Sequence, residues 1–228
     1  MSNLNDVLNG LSSASLWQER VYKDLHAHPE LSFHETRTAA LVVTKLKELG
    51  YEVLEQIGRT GVVGVLRNGT GQTVLARADM DALPVKERTG LPYASTLTAN
   101  DDTGASVPVM HACGHDAHVT CLLGAAELLA RARRSWSGTF VAVFQPAEEV
   151  AGGAKAMVKD GLRDRIPKPD VAFAQHVLAY PAGAVGTQVG PVLSAGDSIR
   201  ITLQGKGEDP CRRVLARAMP TRDRSERQ

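Results

Sequence analysis

Three short apolar runs each end on titratable side chains, and no other feature of the sequence constrains the fold as tightly. Thr73 to Arg77 (TVLAR) leads into Asp79-Met80-Asp81. Gly138 to Phe144 (GTFVAVF) leads into Gln145-Pro146-Ala147-Glu148-Glu149, and Val171 to Gln175 (VAFAQ) into His176. Short apolar runs bounded by turn residues are strand signals. Between the first two runs, Met110-His111-Ala112-Cys113-Gly114-His115-Asp116-Ala117-His118 packs a thiol, three imidazoles and a carboxylate into nine residues. Val119 to Arg133 follows with the spacing of an amphipathic helix. Strands alternating with helices predict an α/β domain with a largely parallel sheet. In such sheets the carboxyl ends of the strands form the ligand crevice, which would gather these acids and imidazoles on one edge.

The remaining elements follow from local signals. Ser15 to His26 is expected to be helical and to stop at His28-Pro29-Glu30, since proline cannot continue a helix. His34 to Leu49 has helical apolar spacing and ends at Gly50, a common helix stop. Tyr51 to Leu54 and Thr60 to Leu66 are predicted strands, and Asn68-Gly69-Thr70-Gly71 a turn. Residues 85–109 are polar and turn-rich, with a loop tip from Asn100 to Gly104. Gly153 to Asp160 is a short helix candidate; Val185 to Val189 and Ser198 to Leu203 are further strand candidates. Glu208 to Gln228 holds six arginines, no lysine and no apolar period beyond a turn or two, so disorder is expected there.

Composition narrows the function classes. A net charge of +1 gives no electrostatic case for nucleic acid or an anionic membrane. Aromatics at 4% supply no base-stacking surface. Three cysteines imply no disulfide framework and suit a reducing compartment. The start MSNLNDVLNG lacks a basic and then apolar leader, and no run is long and apolar enough to span a bilayer. A cytoplasmic location is the expectation. The glycines between Gly58 and Gly71 do not form a G-x-G-x-x-G loop, which argues against a nucleotide-dependent oxidoreductase.

The chemistry of the collected residues points to a metal. Cys113 and His115 stand two apart, a spacing that would place them about 200° apart on a helix, so they suit neighbouring ligands only on a loop. That loop runs into a helix N-terminus, where an ionised thiol is favoured. A structural cysteine with capping residues is the plainer alternative. Cys113, His115, Glu149 and His176 form a candidate ligand set of thiolate, imidazole and carboxylate. Such donors suit Zn²⁺, Mn²⁺, Co²⁺ or Ni²⁺ rather than Ca²⁺ or Mg²⁺. One member of the Glu148-Glu149 pair can bind metal while the other moves a proton. Asp81, with Asp79, either orients a ligand histidine or caps the following turn. His26, His28 and His34 are read as structural or surface groups, His111 and His118 as residues that flank the ligands and are candidates to support them, and Cys121 as core filler.

RADMDALPV (77–85), MHACGHDAH (110–118), FQPAEE (144–149), AQHV (174–177) and the N-terminal LHAHPELSFHE (25–35) resemble the aminoacylase and carboxypeptidase-like metallo-amidohydrolases. The branch is that of hippurate hydrolase, N-acyl-amino-acid amidohydrolases and indole-3-acetyl-amino-acid hydrolases. The resemblance runs from about Trp17 to Gly207. It implies a three-layer α/β/α catalytic domain with a mixed, largely parallel sheet. It also implies a two-ion centre in which Cys113 bridges the ions, with His115, Glu149 and His176 as further ligands and Glu148 as general base and acid. The implied reaction is hydrolysis of an N-acyl or N-aroyl amino acid by metal-bound hydroxide.

The chain departs from that pattern after Gly205-Lys206-Gly207, where Glu208-Asp209-Pro210-Cys211 follows and no histidine appears beyond His176. The expectation is a partial catalytic domain over 1–196, the first strand of a lid and dimerisation domain over 197–207, and an atypical tail over 208–228. A truncated chain would lack the last metal ligand and most of the homodimer surface. Strands missing from one side of the sheet would leave apolar surface exposed. The alternative function is a non-catalytic, metal-binding remnant of such an enzyme.

Overall fold

The computed structural model describes residues 4–190. The strand expected over Ser198 to Leu203, the segment 197–207 and the tail 208–228 lie outside the described residues. Two compact units divide the chain after Ala179.

The first unit opens with helices α1 (Leu4–Leu8), α2 (Leu11–Ala27) and α3 (Thr36–Glu48). Strands β1 (Glu52–Ile57), β2 (Gly61–Asn68) and β3 (Thr73–Asp79) follow. The short pair β4 (Thr98–Asn100) and β5 (Ser106–Pro108) precedes α4 (His115–Arg131) and β6 (Gly138–Gln145). Helices α5 (Gly153–Lys159) and α6 (Leu162–Arg165) lead to β7 (Val171–Ala174). The main sheet has the order β1-β2-β6-β3-β7. Strands β6, β3 and β7 run parallel, and the β1-β2 and β2-β6 pairings are antiparallel.

Alternation along the strands explains the layers. Val62, Leu66, Phe140, Ala142 and Phe144 face one way and pack on Leu25 of α2, Val42 and Leu46 of α3, and Val119 and Leu123 of α4. Val63, Val65, Val141 and Val143 face the other way and pack with Met157 of α5 and Leu162 of α6. Side chains alternate across a strand, so a strand apolar at every position must be covered on both faces. β2 and β6 are such strands, and the result is a three-layer α/β/α arrangement. Gly64 of β2 permits close packing: a Cβ there would stand 3.0 Å from Leu46 and Tyr51 side-chain atoms.

The connections place the site. From β3 the chain crosses to the neighbouring parallel strand β6 through α4, on the first face. From β6 it crosses through α5 and α6, on the second face, to β7 on the far side of β3. Adjacent strands whose connections leave in opposite directions open a crevice at their carboxyl ends. Here that crevice lies between the ends of β3 and β6, where Asp79, Asp81, Glu148 and Glu149 stand.

Three local expectations are corrected. The helix expected from Val119 begins at His115, because Gly114 adopts a left-handed N-cap (φ 82, ψ 17) that turns the chain four residues earlier. The stretch 85–109 is not all loop: β4 and β5 form a hairpin whose tip is tied by Asp101 Oδ1, which accepts from Thr103 N at 2.9 Å and Ala105 N at 3.0 Å. Val185 to Val189, in the second unit, forms no strand; a strand needs a ladder partner, and none pairs with it among the described residues. Among the described residues β7 ends the sheet, with Val171 38% and Phe173 60% exposed.

Candidate metal centre

Tautomers of three histidines organise the site, and each follows from its partner. The ring Nδ1 of His115 lies 2.8 Å from the Asp81 carbonyl oxygen. A carbonyl only accepts, so Nδ1 carries the proton and donates it. This leaves the Nε2 lone pair of a fully buried ring without a hydrogen-bond partner. His176 repeats the pattern: Nδ1 donates to Val177 O at 2.7 Å, and Nε2 faces Cys113 Sγ at 3.3 Å. His118 differs. The Val177 N–H donates to its Nε2 at 2.9 Å, so its Nδ1–H donates to Asp79 Oδ1 at 2.5 Å.

Carboxylates surround the open His115 Nε2. Asp79 Oδ2 lies 3.6 Å away, and Glu148 Oε2 and Glu149 Oε1 lie 3.9 Å away. Glu149 Oε1 is itself buried with no hydrogen-bond partner, whereas Asp79 Oδ2 is met by the Arg77 guanidinium, with Nη1 at 2.9 Å. Cys113, His115 and His176 place one donor atom each within 4.8 Å of one another; so do His115, Glu148 and Glu149, and so do Asp79, His115 and His118. The Glu149 carboxylate also lies against the Cys113 thiol.

The loop after β6 is fixed by two other buried acids. Three successive amides point at carboxylates: Ala147 N donates to Glu35 Oε1 at 2.8 Å, Glu148 N to Asp81 Oδ1 at 3.0 Å, and Glu149 N to Asp81 Oδ2 at 3.0 Å. Ser32 Oγ completes the Asp81 carboxylate at 2.6 Å. Of the two readings of Asp81, orienting a histidine and capping a turn, the geometry contains both. Its main-chain oxygen orients His115, and its side chain holds the loop. Burial raises the Asp81 carboxyl, but hydrogen bonds from His115, Ser32 and the two amides outweigh it and hold it below its ordinary value. Burial also opposes Asp79, yet His118, His115 and Arg77 bring it down to about 2.

The thiol departs from expectation. Burial, then the charges of Glu149, Glu148 and Asp79, push Cys113 up to about 12. Burial and these carboxylates together oppose the ionised thiol that the helix terminus would favour.

The donor set fits a divalent transition ion. Bonds of about 2.0–2.3 Å at tetrahedral angles separate neighbouring nitrogen, oxygen and sulfur donors by about 3.3–3.6 Å. The Cys113–His176 and Asp79–His115 separations already match, and the two glutamates stand a few tenths of an ångström beyond. Unpartnered buried lone pairs on imidazole and carboxylate are costly unless a cation or proton meets them. Negative charge from Asp79, Asp81, Glu148 and Glu149 on one crevice adds to the demand for a cation.

All four residues proposed from the sequence as ligands, with Glu148, thus stand at one rim. Asp79, expected to orient a ligand histidine, accepts instead from His118, and both stand within the cluster around His115. His26 was read as structural or surface and is 5% exposed, with Nδ1 2.7 Å from Asp116 Oδ2 and Nε2 3.1 Å from Glu87 Oε1. It ties α2 to the first turn of α4. His111 is also 5% exposed; burial pushes it down to about 4, and neither ring nitrogen has a hydrogen-bond partner. Glu35 carries no signal of its role in the sequence beyond standing just before a helix; only its long-range contacts reveal it. Cys121 was expected in the core and is exposed, because it falls on the face of α4 beside β7. An open cavity of about 310 Å³ runs along that face, lined by Arg77, His118, Cys121, Leu122 and Phe173 among others, and touches the centre only through His118.

An α/β fold with thiol, imidazole and carboxylate donors at a strand-end crevice defines a metallohydrolase-type architecture. Residues 75–218 match the model of peptidase family M20/M25/M40, and the chain belongs to that family. It is 44% identical over 191 residues to the hippurate hydrolase of Campylobacter jejuni, covering 83% of this chain and 47% of that protein. It is 40% identical over 212 residues to thermostable carboxypeptidase 1 of Saccharolobus solfataricus, covering 91% of this chain and 51% of that protein. Among solved structures, it resembles a dinuclear metal-binding M20-family peptidase of Bacillus subtilis at 35% identity with a TM-score of 0.63, covering 72% of this chain and 43% of the other. The chain spans about half the length of the curated relatives it matches. No helix among the described residues is long and apolar enough to cross a membrane.

Proposed function

We propose that this chain carries the metal centre of an amidohydrolase that cleaves the amide bond of N-acyl or N-aroyl amino acids, hippurate-like compounds among them. Cys113, His115, Glu149 and His176 would hold two divalent ions drawn from Mn²⁺, Zn²⁺, Co²⁺ and Ni²⁺. The observation that carries this reading is the buried, unpartnered His115 Nε2, set between a thiol and imidazole on one side and two glutamates on the other. Such ions supply Lewis-acid polarisation of a carbonyl and make water more acidic.

The protein groups divide the remaining work. Glu148 is 39% exposed at its side chain and Glu149 18%, so Glu149 suits ligation and Glu148 exchange with water and substrate. Glu148 takes a proton from the attacking water and delivers it to the departing amine nitrogen, giving a carboxylate and a free amino acid. Asp81 orients His115 and fixes both glutamates at once. The substrate is a small molecule, the compartment is the cytoplasm, and neither nucleic acid nor membrane is a partner. The domain limits 1–196, 197–207 and 208–228 belong to the same proposal.

The test uses the full chain loaded with Mn²⁺ or Zn²⁺ and assayed on hippurate and N-acetyl amino acids, with bound metal counted by mass spectrometry. Glu148→Gln is expected to lower turnover by about 10²–10⁴-fold while leaving the ion count unchanged. Undiminished turnover in that variant would refute the role of Glu148. Ions bound without any turnover would favour the non-catalytic reading, and no bound ion would end both.

A further inference from the structure

We propose that His118 is a positioning residue: with Asp79 it grips the backbone amide of Val177 and so sets where His176 presents its Nε2. This rests on the reading of the site as a divalent-cation centre. By distance alone Asp79, His115 and His118 form a ligand group equal to the others. Hydrogen bonding separates them. His115 and His176 each spend Nδ1–H on a carbonyl; Nε2 stays without a partner on His115 and faces the Cys113 sulfur on His176. His118 spends both nitrogens, Nδ1–H on Asp79 Oδ1 and the Nε2 lone pair on Val177 N–H. A nitrogen whose lone pair is already accepting an amide proton has nothing left for a cation.

What the grip holds is the segment that bears His176. That segment leaves β7, which among the described residues pairs with β3 alone and has exposed side chains. His176 itself is exposed, yet its ring stacks edge-on against His118 at 4.6 Å between centroids. The Val177 side chain sits over Gly114, where any Cβ would collide with it. The buried ring of His118, rooted in the first turn of α4, thus holds the Val177 amide by a hydrogen bond and the His176 ring by an edge-on contact. Asp79 Oδ1 fixes the tautomer that makes the clamp possible, as carboxylates commonly do for imidazoles near metals.

Two replacements distinguish the roles. The Gln side-chain oxygen falls near the place of Nε2 and can still accept from Val177 N–H. Asn reaches only as far as Nδ1 and cannot. Titrating the full-length chain with Co²⁺, read by the thiolate-to-cobalt absorption from Cys113, is expected to give near wild-type affinity for His118→Gln. For His118→Asn, a loss of about 10–100-fold is expected. In a His176→Ala background, His118→Asn is expected to cost nothing more, since groups acting through one contact are not additive. A ligand role predicts the reverse: Gln and Asn equally damaging, and additive with His176→Ala. Ring ¹⁵N shifts of the metal-free wild-type chain give a readout that needs no variant to fold. A proton on His118 Nδ1 supports the clamp, and one on Nε2 overturns it. Failure of the wild-type chain to bind Co²⁺ would instead strike the reading of the centre itself.

Discussion

Replacing Glu35 tests how the loop that presents Glu148 and Glu149 is held. Glu35 is fully buried. Its Oε1 accepts from Phe33 N at 2.9 Å and Ala147 N at 2.8 Å, and its Oε2 from Thr60 Oγ1 at 2.5 Å. Both amide donors belong to non-glycine residues in the left-handed region, Phe33 at φ 64 and Ala147 at φ 47. Each such residue carries about 1–2 kcal/mol of strain that the acceptor helps to offset. In Glu35→Ala the amide of fully buried Ala147 is orphaned, at a cost of about 1–3 kcal/mol. Phe33 is half-buried and Thr60 can rotate, so these add less; the sum is about 3–5 kcal/mol. With an m-value of about 2 kcal/mol per molar, the urea midpoint should fall by about 1.5–2.5 M.

Glu35→Gln keeps an oxygen for both amides and should stay close to the wild type. The pH dependence sharpens the comparison. Burial raises the Glu35 carboxyl above its ordinary 4.5, against the pull of Thr60 and the backbone amides. A raised carboxyl binds its proton more tightly folded than unfolded. The stability it contributes is therefore full below the ordinary value and is lost as pH rises through the folded one. The wild type should decline over that window relative to Glu35→Gln, which has nothing to titrate. If Glu35→Ala moves the midpoint by less than about 0.5 M, or Glu35→Gln is as damaging as Ala, the clamp argument is wrong.

Two more perturbations probe the joints of the site. Burial lowers His26, but Asp116 and Glu87 outweigh it and raise its pKa above 6.5. Its stabilising contribution is present below that value and is lost as pH climbs through the folded one; His26→Gln should flatten this decline in urea midpoints, and an unchanged slope would refute it. Gly114→Ala places a side chain at φ 82 and against Val177. It should cost about 1–2 kcal/mol from the left-handed backbone alone and weaken Co²⁺ binding by displacing Val177; a variant as stable and as tight as the wild type would show that the turn is dispensable.

The sequence by itself determined the strands β3, β6 and β7, the helices that separate them, and the fact that titratable residues follow each strand. These are local matters: side-chain alternation, proline and glycine punctuation, and the donor chemistry of Cys113, His115, Glu149 and His176. Tertiary structure decided which lone pairs stay open. His115 and His118 look alike in the sequence, three residues apart on one helix, yet one keeps its Nε2 free and the other gives it to Val177. The partners responsible, the Asp81 carbonyl and the Val177 amide, lie 34 and 59 residues away from these histidines. The same holds for Glu35, which meets Ala147 across 112 residues. A hydrogen bond over such distances leaves no period and no spacing along the chain, because only the packing of α4, β3 and β6 brings its two ends together.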